Sequence, residues 1–156
     1  MQLTLSLALP RDALSVPVVR GVLAESMETL GVHHECVDDI RVAISEACTN
    51  VLDHAREGDD YEVIAAIDDD TCRIEVVDRG YGFDGAKAGD ELVAEDAERG
   101  RGIRLMRALV DNLLFVNRPK GGTVVCMEKE LKWREGAPLP RLRDLSSATG
   151  ETPPAR

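Results

Sequence analysis

The 156-residue sequence contains few aromatic residues and fewer bases than acids. Aromatic side chains make up 3% of the residues, so the core must consist mainly of aliphatic side chains. The chain has 19 Lys and Arg against 29 Asp and Glu, a formal net charge of −10. This balance disfavours a nucleic-acid-binding protein, because such proteins usually present a basic patch. An anionic ligand would need positive charge concentrated locally.

Paired cysteines and long apolar runs are also missing from the sequence. No apolar run approaches the roughly 18 residues of a membrane-spanning helix. The apolar start of the chain is interrupted by Pro10 and Arg11 and does not resemble a secretion signal. Four cysteines lie in apolar patterns without a C-x-x-C motif, as buried small residues in a reducing compartment do: Cys36, Cys48, Cys72 and Cys126. We therefore expect a cytoplasmic protein.

Hydrophobic periodicity predicts an α+β fold. Residues 2–9 alternate between apolar and polar side chains, as in a half-buried strand. Apolar spacing predicts helices over 12–30 and 34–56, the first begun by Asp12 and ended by Gly31. Further strands are predicted at 61–67, 72–77, 113–116 and 123–127, and a third helix at 102–111. Because the strand pairs are local, we expect a two-layer α/β sandwich with a mixed or antiparallel sheet and helices on one face.

The length and composition predict one domain and a tail. Residues 1–131 carry the periodic pattern and are predicted to form the domain. Within it, residues 83–99 are small, polar and acidic, which predicts a mobile lid. Four of the seven prolines fall in residues 132–156, so this stretch is predicted to be a partly disordered C-terminal tail.

The stretch VVDRGYGFDG contains the spacing of a dinucleotide-binding turn at Gly80, Gly82 and Gly85. That reading requires a well-formed helix directly after the glycines, and the following residues have no apolar stripe. Asp78 ends the preceding strand, where a carboxylate would repel a pyrophosphate but would accept a hydrogen bond from an exocyclic amine. A glycine-rich turn without a ligand remains an alternative.

The second predicted helix carries a line of polar residues beside its apolar stripe. Glu46, Asn50 and His54 are spaced four apart, with Asp53 between them, and so share one face. A solvated helix face is one interpretation. The other is a metal–phosphate site, since an Asn oxygen can ligate Mg²⁺ without adding charge and a Glu can accept a proton from a hydroxyl.

The stretch ERGRGIRLM places two glycines before the third predicted helix. The backbone amides of Gly100 and Gly102 would make an anion site at a helix N-terminus. Arg99, Arg101 and Arg104 supply the local positive charge that the chain otherwise lacks. No G-K-[ST] follows, so this is not a Walker P-loop.

Four motifs occur in a fixed order: E-A-C-T-N-x-x-x-H-A from Glu46, D-x-G-x-G from Asp78, G-x-G from Gly100, and G-G-T at 121–123. Together they resemble the GHKL ATP-binding superfamily over residues 3–131. The compact form is most similar to the bacterial anti-sigma-factor serine/threonine kinases. The resemblance implies a GHKL (Bergerat) sandwich that binds ATP and Mg²⁺.

The resemblance also implies a role for each matching residue. Asp78 would accept the adenine amino group, supported through water by Thr123, and Asn50 would hold Mg²⁺. Glu46 would be the general base that activates a protein serine or threonine hydroxyl. The implied ATP-binding set is Asn50, Asp53, His54, Asp78, Gly80, Gly82, Gly100, Arg101, Gly102, Ile103, Arg104 and Thr123.

The family resemblance further implies protein partners. A member of this family sequesters a sigma factor, phosphorylates an anti-sigma-factor antagonist and is commonly a homodimer, with neither nucleic acid nor membrane as a direct partner. Arg20 matches a partner-binding arginine on the first helix, although a surface arginine is also common there. The alternatives are an ATP-gated anti-sigma binding protein with little kinase activity, and an NAD or FAD oxidoreductase.

Overall fold

The computed structural model describes residues 1–54, 60–78, 97–117 and 122–148. Within these ranges, five strands form one antiparallel sheet in the order β1-β2-β3-β5-β4. The strands are β1 (Leu3–Leu9), β2 (Tyr61–Ile67), β3 (Thr71–Asp78), β4 (Asn112–Asn117) and β5 (Thr123–Glu130). The helices are α1 (Ser15–Leu30), α2 (His34–His54), α3 (Ala97–Leu109) and α4 (Pro138–Ala148). The predicted α+β class is confirmed. Of the two sheet types expected, mixed or antiparallel, the structure has the antiparallel one.

The core lies between the sheet and the helices α1, α2 and α3. Alternate residues of β2 are buried, from Tyr61 to Ile67, because one face of the strand packs against the helices. The apolar stripe of α2 is buried against the same face. Several of the largest fully buried side chains are aliphatic, as the shortage of aromatic residues requires: Leu23, Met27, Ile40, Ile44, Ile67 and Met106. No helix in the described part of the chain has the length and hydropathy of a membrane span.

The first helix begins three residues later than Asp12 predicts. The Asp12 carboxylate accepts a hydrogen bond from the backbone N–H of Leu14 at 2.8 Å, and the Ser15 hydroxyl donates to the Asp12 carbonyl at 2.6 Å. Asp12 therefore closes a turn ahead of the helix, and Leu14 holds the N-cap position without a side-chain cap. Gly31 ends the helix as predicted, with φ of 92°.

The third helix begins earlier than predicted. It starts at Ala97 rather than at residue 102, so Gly100 and Gly102 lie inside α3 and not in a turn before it. Ala, Glu and Arg at its start are good helix formers, which helps to offset the roughly 1 kcal/mol that each glycine costs. Both glycines are buried, so they also allow α3 to approach its neighbour closely. Most of the predicted lid, residues 83–96, lies outside the described residues.

The segment after Leu131 packs against the domain over part of its length. Trp133 forms an isolated bridge with Val32, and its indole N–H donates to the Asp69 carbonyl at 2.8 Å. Leu139 of α4 is buried in the core. Residues 132–148 thus differ from the tail that their prolines predict, because these contacts anchor them. The division at residue 131 stays a prediction, and residues 149–156 lie outside the described part of the chain.

Candidate functional site

Glu46, Asn50 and Gly102 lie where α2 and α3 meet, and we call these three residues the helix part of the site. Glu46 and Asn50 are half-buried and one turn apart on α2. A Cβ atom added to Gly102 would stand 2.7 Å from Glu46 Oε2 and 3.9 Å from Asn50 Oδ1. A real Cβ atom does not come as close as 2.7 Å, so a side chain here would force the Glu46 carboxylate to move, whereas 3.9 Å from Asn50 is an ordinary contact. A carboxylate and a carboxamide oxygen therefore converge on the backbone of α3.

Packing and one lysine hold α3 in this position. Ile103 and Met106 are buried in the core between α3 and its neighbours. The Lys129 ammonium group donates to Asp39 of α2 at 2.9 Å and to the carbonyl of Leu109 at 2.8 Å. Burial lowers the pKa of Lys129, but the hydrogen bond and charge of Asp39 outweigh burial and raise it overall. Lys129 thus stays charged and ties the end of α3 to α2.

At one end of the sheet, one residue from each of the five strands lies in a row, and we call this row the sheet part of the site. The strand register places its members side by side: Leu9, Tyr61, Asp78, Thr123 and Asn117. Asp78 ends β3 and Thr123 begins β5, and both are buried. The register that pairs Val77 with Val124 sets these two side by side. The Thr123 hydroxyl donates to Asn117 Oδ1 at 3.4 Å.

Arg11 joins the sheet part to the helix part. Its Nη2 pairs with Asp78 Oδ1, and its Nη1 donates to the backbone carbonyl of Val51 at 3.3 Å. Both charged side chains are almost fully buried, at 7% exposure for Arg11 and 8% for Asp78. Val51 follows Asn50 on α2, so one guanidinium group spans from β3 to the helix that carries Glu46 and Asn50.

Tyr61, a member of this row, contacts the start of α1. Its hydroxyl shares a buried hydrogen bond of 2.5 Å with the hydroxyl of Ser15, the first residue of the helix. Burial raises the pKa of Tyr61 to about 12 although this hydrogen bond lowers it. Burial also raises the pKa of the Cys48 thiol to about 12, so Cys48 is a thiol and not a thiolate at neutral pH.

The structure brings together some of the predicted residues and leaves others apart. Glu46, Asn50 and Gly102 converge, and Asp78 adjoins Thr123, whereas Asp53, Arg101 and Arg104 are exposed. The side chain of Ile103 is buried in the core, so a ligand could reach only its backbone. Arg20 lies exposed on α1. Outside the described residues are Gly80, Gly82, Gly85, Gly121 and the side chains of His54 and Arg99.

Sequence reasoning missed Arg11, Ser15, Tyr61 and Asn117. The contacts of Arg11 with Asp78 and of Ser15 with Tyr61 join residues 67 and 46 positions apart. No local motif marks such pairs. A basic residue directly after the Pro10 that ends β1 was the one available signal, and by itself it does not indicate a partner.

A separate group of potential metal ligands lies at the start of α2. The ligand atoms of His33, His34 and Glu35 are within 4.8 Å of one another. The Lys132 ammonium group is 3.7 Å from the Glu35 carboxylate, where it competes with any cation. This group carries no assigned function.

Comparison with known proteins gives matches over most of the chain. The family model described as histidine kinase-like ATPase domain matches residues 9–129. Proteins named serine-protein kinase RsbW are similar to this chain. The one from Halalkalibacterium halodurans is 30% identical over 138 residues, 83% of this chain and 84% of the relative. The one from Bacillus pumilus is 30% identical over 140 residues, 81% and 85% of the two chains.

A solved structure shares the fold. The crystal structure of the RsbU and RsbW domains of a Mycobacterium tuberculosis protein superposes with a TM-score of 0.64 at 26% identity. The match covers 83% of this chain and 32% of the solved chain, so the present chain corresponds to about a third of that larger protein.

Proposed function

The chain belongs to the histidine kinase-like ATPase domain family, and on this basis we propose that it is an ATP-dependent serine/threonine protein kinase that also acts as an anti-sigma factor. The observation that carries the proposal is the convergence of Glu46 and Asn50 on Gly102, where a Cβ atom would push against the Glu46 carboxylate. The names of the relatives support the same activity. In this function the chain sequesters a sigma factor and phosphorylates an antagonist protein.

The sheet part of the site would bind the nucleobase. Asp78 is a buried hydrogen-bond acceptor at the end of a central strand, suited to the exocyclic amine of adenine. Thr123 lies beside it and would support that contact. Gly80 and Gly82 would let the backbone approach the nucleoside.

The helix part would hold the phosphates and Mg²⁺. The space that a Cβ on Gly102 would fill is lined by the Glu46 and Asn50 oxygens, a donor set that suits Mg²⁺. Asn50 would be the ligand, and the ion would neutralise charge on the phosphates. Gly100 and Gly102 lie inside α3, and the exposed Arg101 and Arg104 of the same helix offer positive charge for the phosphates.

The reaction needs little beyond positioning and one base. Glu46 accepts the proton of a protein serine or threonine hydroxyl. The hydroxyl oxygen bonds to the γ-phosphorus of ATP as the bond from that phosphorus to the β–γ bridging oxygen breaks, and ADP leaves with the electron pair. Arg20 on α1 would contact the protein partners, and the functional form would be a cytoplasmic homodimer.

Phosphate transfer to an antagonist protein from the same genome tests this function. With radiolabelled MgATP, wild type should label the antagonist, and Glu46→Gln should do so about 10²- to 10⁴-fold more slowly while it still binds nucleotide. Glu75→Gln on the exposed face of β3 is the matched control and should transfer at the wild-type rate. Equal rates for wild type and Glu46→Gln would contradict the assigned base. Nucleotide-dependent partner binding without transfer by wild type would establish the ATP-gated binding protein instead.

A further inference from the structure

The contact between Arg11 and Asp78 orients the residue that is proposed to bind the base. Arg11 lies in the segment between β1 and α1, and its guanidinium group is held at two points. One nitrogen pairs with Asp78 and the other donates to the Val51 carbonyl at 3.3 Å. Because two elements fix the group, it holds the carboxylate in one orientation.

Burial makes this arginine consequential for hydrogen bonding. The Asp78 side chain is 8% exposed, so protein groups rather than water hold it, and a buried carboxylate needs a paired charge beside it. A carboxylate accepts hydrogen bonds along defined directions, so its orientation matters to a ligand. The guanidinium group of Arg11, itself 7% exposed, therefore sets the direction in which Asp78 can accept a hydrogen bond from a ligand.

We propose that Arg11 is a positioning residue that makes the nucleotide site select an exocyclic amine over a carbonyl. It acts through Asp78, whose carboxylate it holds in place as an acceptor. The amine of adenine donates to that acceptor, whereas the carbonyl that hypoxanthine carries at the same position presents a second acceptor to it. This inference rests on the proposed function, since it requires that Asp78 faces the base.

The test is the affinity ratio for ADP and inosine diphosphate, measured by calorimetry in the presence of Mg²⁺. Wild type should prefer ADP by roughly tenfold or more, the range expected of a hydrogen bond to a charged group. Arg11→Met should bring the ratio below about threefold, because Asp78 then loses the contact that holds its carboxylate in the orientation that accepts from the amine. A general loss of packing would weaken the binding of both nucleotides to the same extent and leave the ratio of their affinities unchanged.

Three further variants make the result decisive. Arg11→Lys keeps the positive charge and should retain most of the preference for ADP. Arg11→Gln removes the charge but keeps an N–H donor for Val51, and it replaces Arg11→Met in the test if that variant does not fold. Arg143→Met, on α4 where the arginine pairs with its neighbour Asp144, should match wild type.

The outcomes separate this inference from the proposed function. A selective wild type with an unselective Arg11→Met or Arg11→Gln supports both. A selective wild type with unchanged selectivity in the folded neutral variants overturns the role of Arg11 alone, as does tighter ADP binding, which would make Arg11 a competitor of the base. A wild type that binds neither nucleotide overturns the proposed function and the inference with it.

Discussion

The two parts of the site are held by different kinds of contact. In the helix part, Glu46 and Asn50 are half-buried and face a glycine, which has no side chain to displace their oxygens. In the sheet part, Asp78 is almost fully buried and its carboxylate is already engaged by Arg11. A group that must exchange a proton with a second protein needs access, whereas a group that recognises one ligand shape gains from being fixed and desolvated. The difference fits chemistry at one part and recognition at the other.

The largest stability effect should come from breaking the sheet part. Asp78→Asn leaves the Arg11 charge buried without its counter-charge, so the free energy of unfolding should fall by about 3–5 kcal/mol. Asp144→Asn removes an acid from an exposed pair with Arg143 and should change it by less than about 1 kcal/mol. Urea unfolding of both variants measures the difference. Similar small losses in the two variants would mean that the Arg11–Asp78 pair is not desolvated.

A methyl group in the helix part should damage catalysis more than folding. Gly102→Ala puts a Cβ 2.7 Å from Glu46 Oε2, which must displace the carboxylate. Misplacement of a catalytic group by about 1 Å can lower the rate by about 100-fold, equivalent to about 2.7 kcal/mol. Gly21→Ala on α1 has nothing within 4 Å of the new Cβ and should leave the rate of phosphate transfer unchanged. A Gly102→Ala variant with the wild-type rate would show that the close approach of α3 is unimportant.

Removal of the Tyr61 hydroxyl should have a moderate effect and a distinct pH dependence. Tyr61→Phe loses a buried hydrogen bond, but Ser15 keeps its bond to the Asp12 carbonyl, so the expected loss is about 1 kcal/mol. The pKa of Tyr61 is raised to about 12 in the folded chain, so its contribution is complete below about pH 10 and is lost as the pH rises towards 12. Wild type should therefore lose more stability than Tyr61→Phe in urea unfolding across that window. Parallel pH profiles would contradict the buried environment of the hydroxyl.

The smallest effect should come from the lysine that ties α3 to α2. Lys129→Met removes a partly exposed ion pair with Asp39 and should lower the free energy of unfolding by no more than about 1 kcal/mol. The pKa of Lys129 is raised, so its contribution is present below the ordinary lysine pKa and is lost above it. Thermal unfolding at pH 7 and pH 11 should show a smaller gap between variant and wild type at the higher pH. A gap that grows with pH would reverse the assigned cause.

The helix part could be predicted from the sequence because its key spacing is local. Glu46 and Asn50 are four residues apart, and any helix puts such residues on one face. The start of α3 was harder to predict from the sequence, because glycines usually mark the end of a helix. Here Gly100 and Gly102 lie inside the helix and permit close packing. Local helix propensity cannot predict the contact between Glu46 and Gly102. Glu46 lies 56 positions before Gly102 in the chain, and only the tertiary structure brings the two together.

Much of the sheet part could not be predicted because it depends on strand order. Asp78 and Thr123 were recognised from their motifs, but their adjacency requires β5 to pair with β3 in a particular register. The partner of Asp78 comes from the opposite side of the sheet, in the segment that follows the edge strand β1. Such a contact follows only once β1, α1 and α2 are in place together.

Thermal unfolding with and without nucleotide is the measurement that checks whether the chain binds an adenine nucleotide through Asp78. Wild type and Asp78→Asn are compared with MgADP, MgATP, NAD or no ligand, and the shift on ligand addition is read within each protein because the substitution lowers stability by itself. A ligand at 100 times its dissociation constant should stabilise wild type by about 2.7 kcal/mol. We expect this shift with MgADP and MgATP in wild type and its loss in Asp78→Asn. No shift with adenine nucleotides, or an equal shift in both proteins, would contradict it.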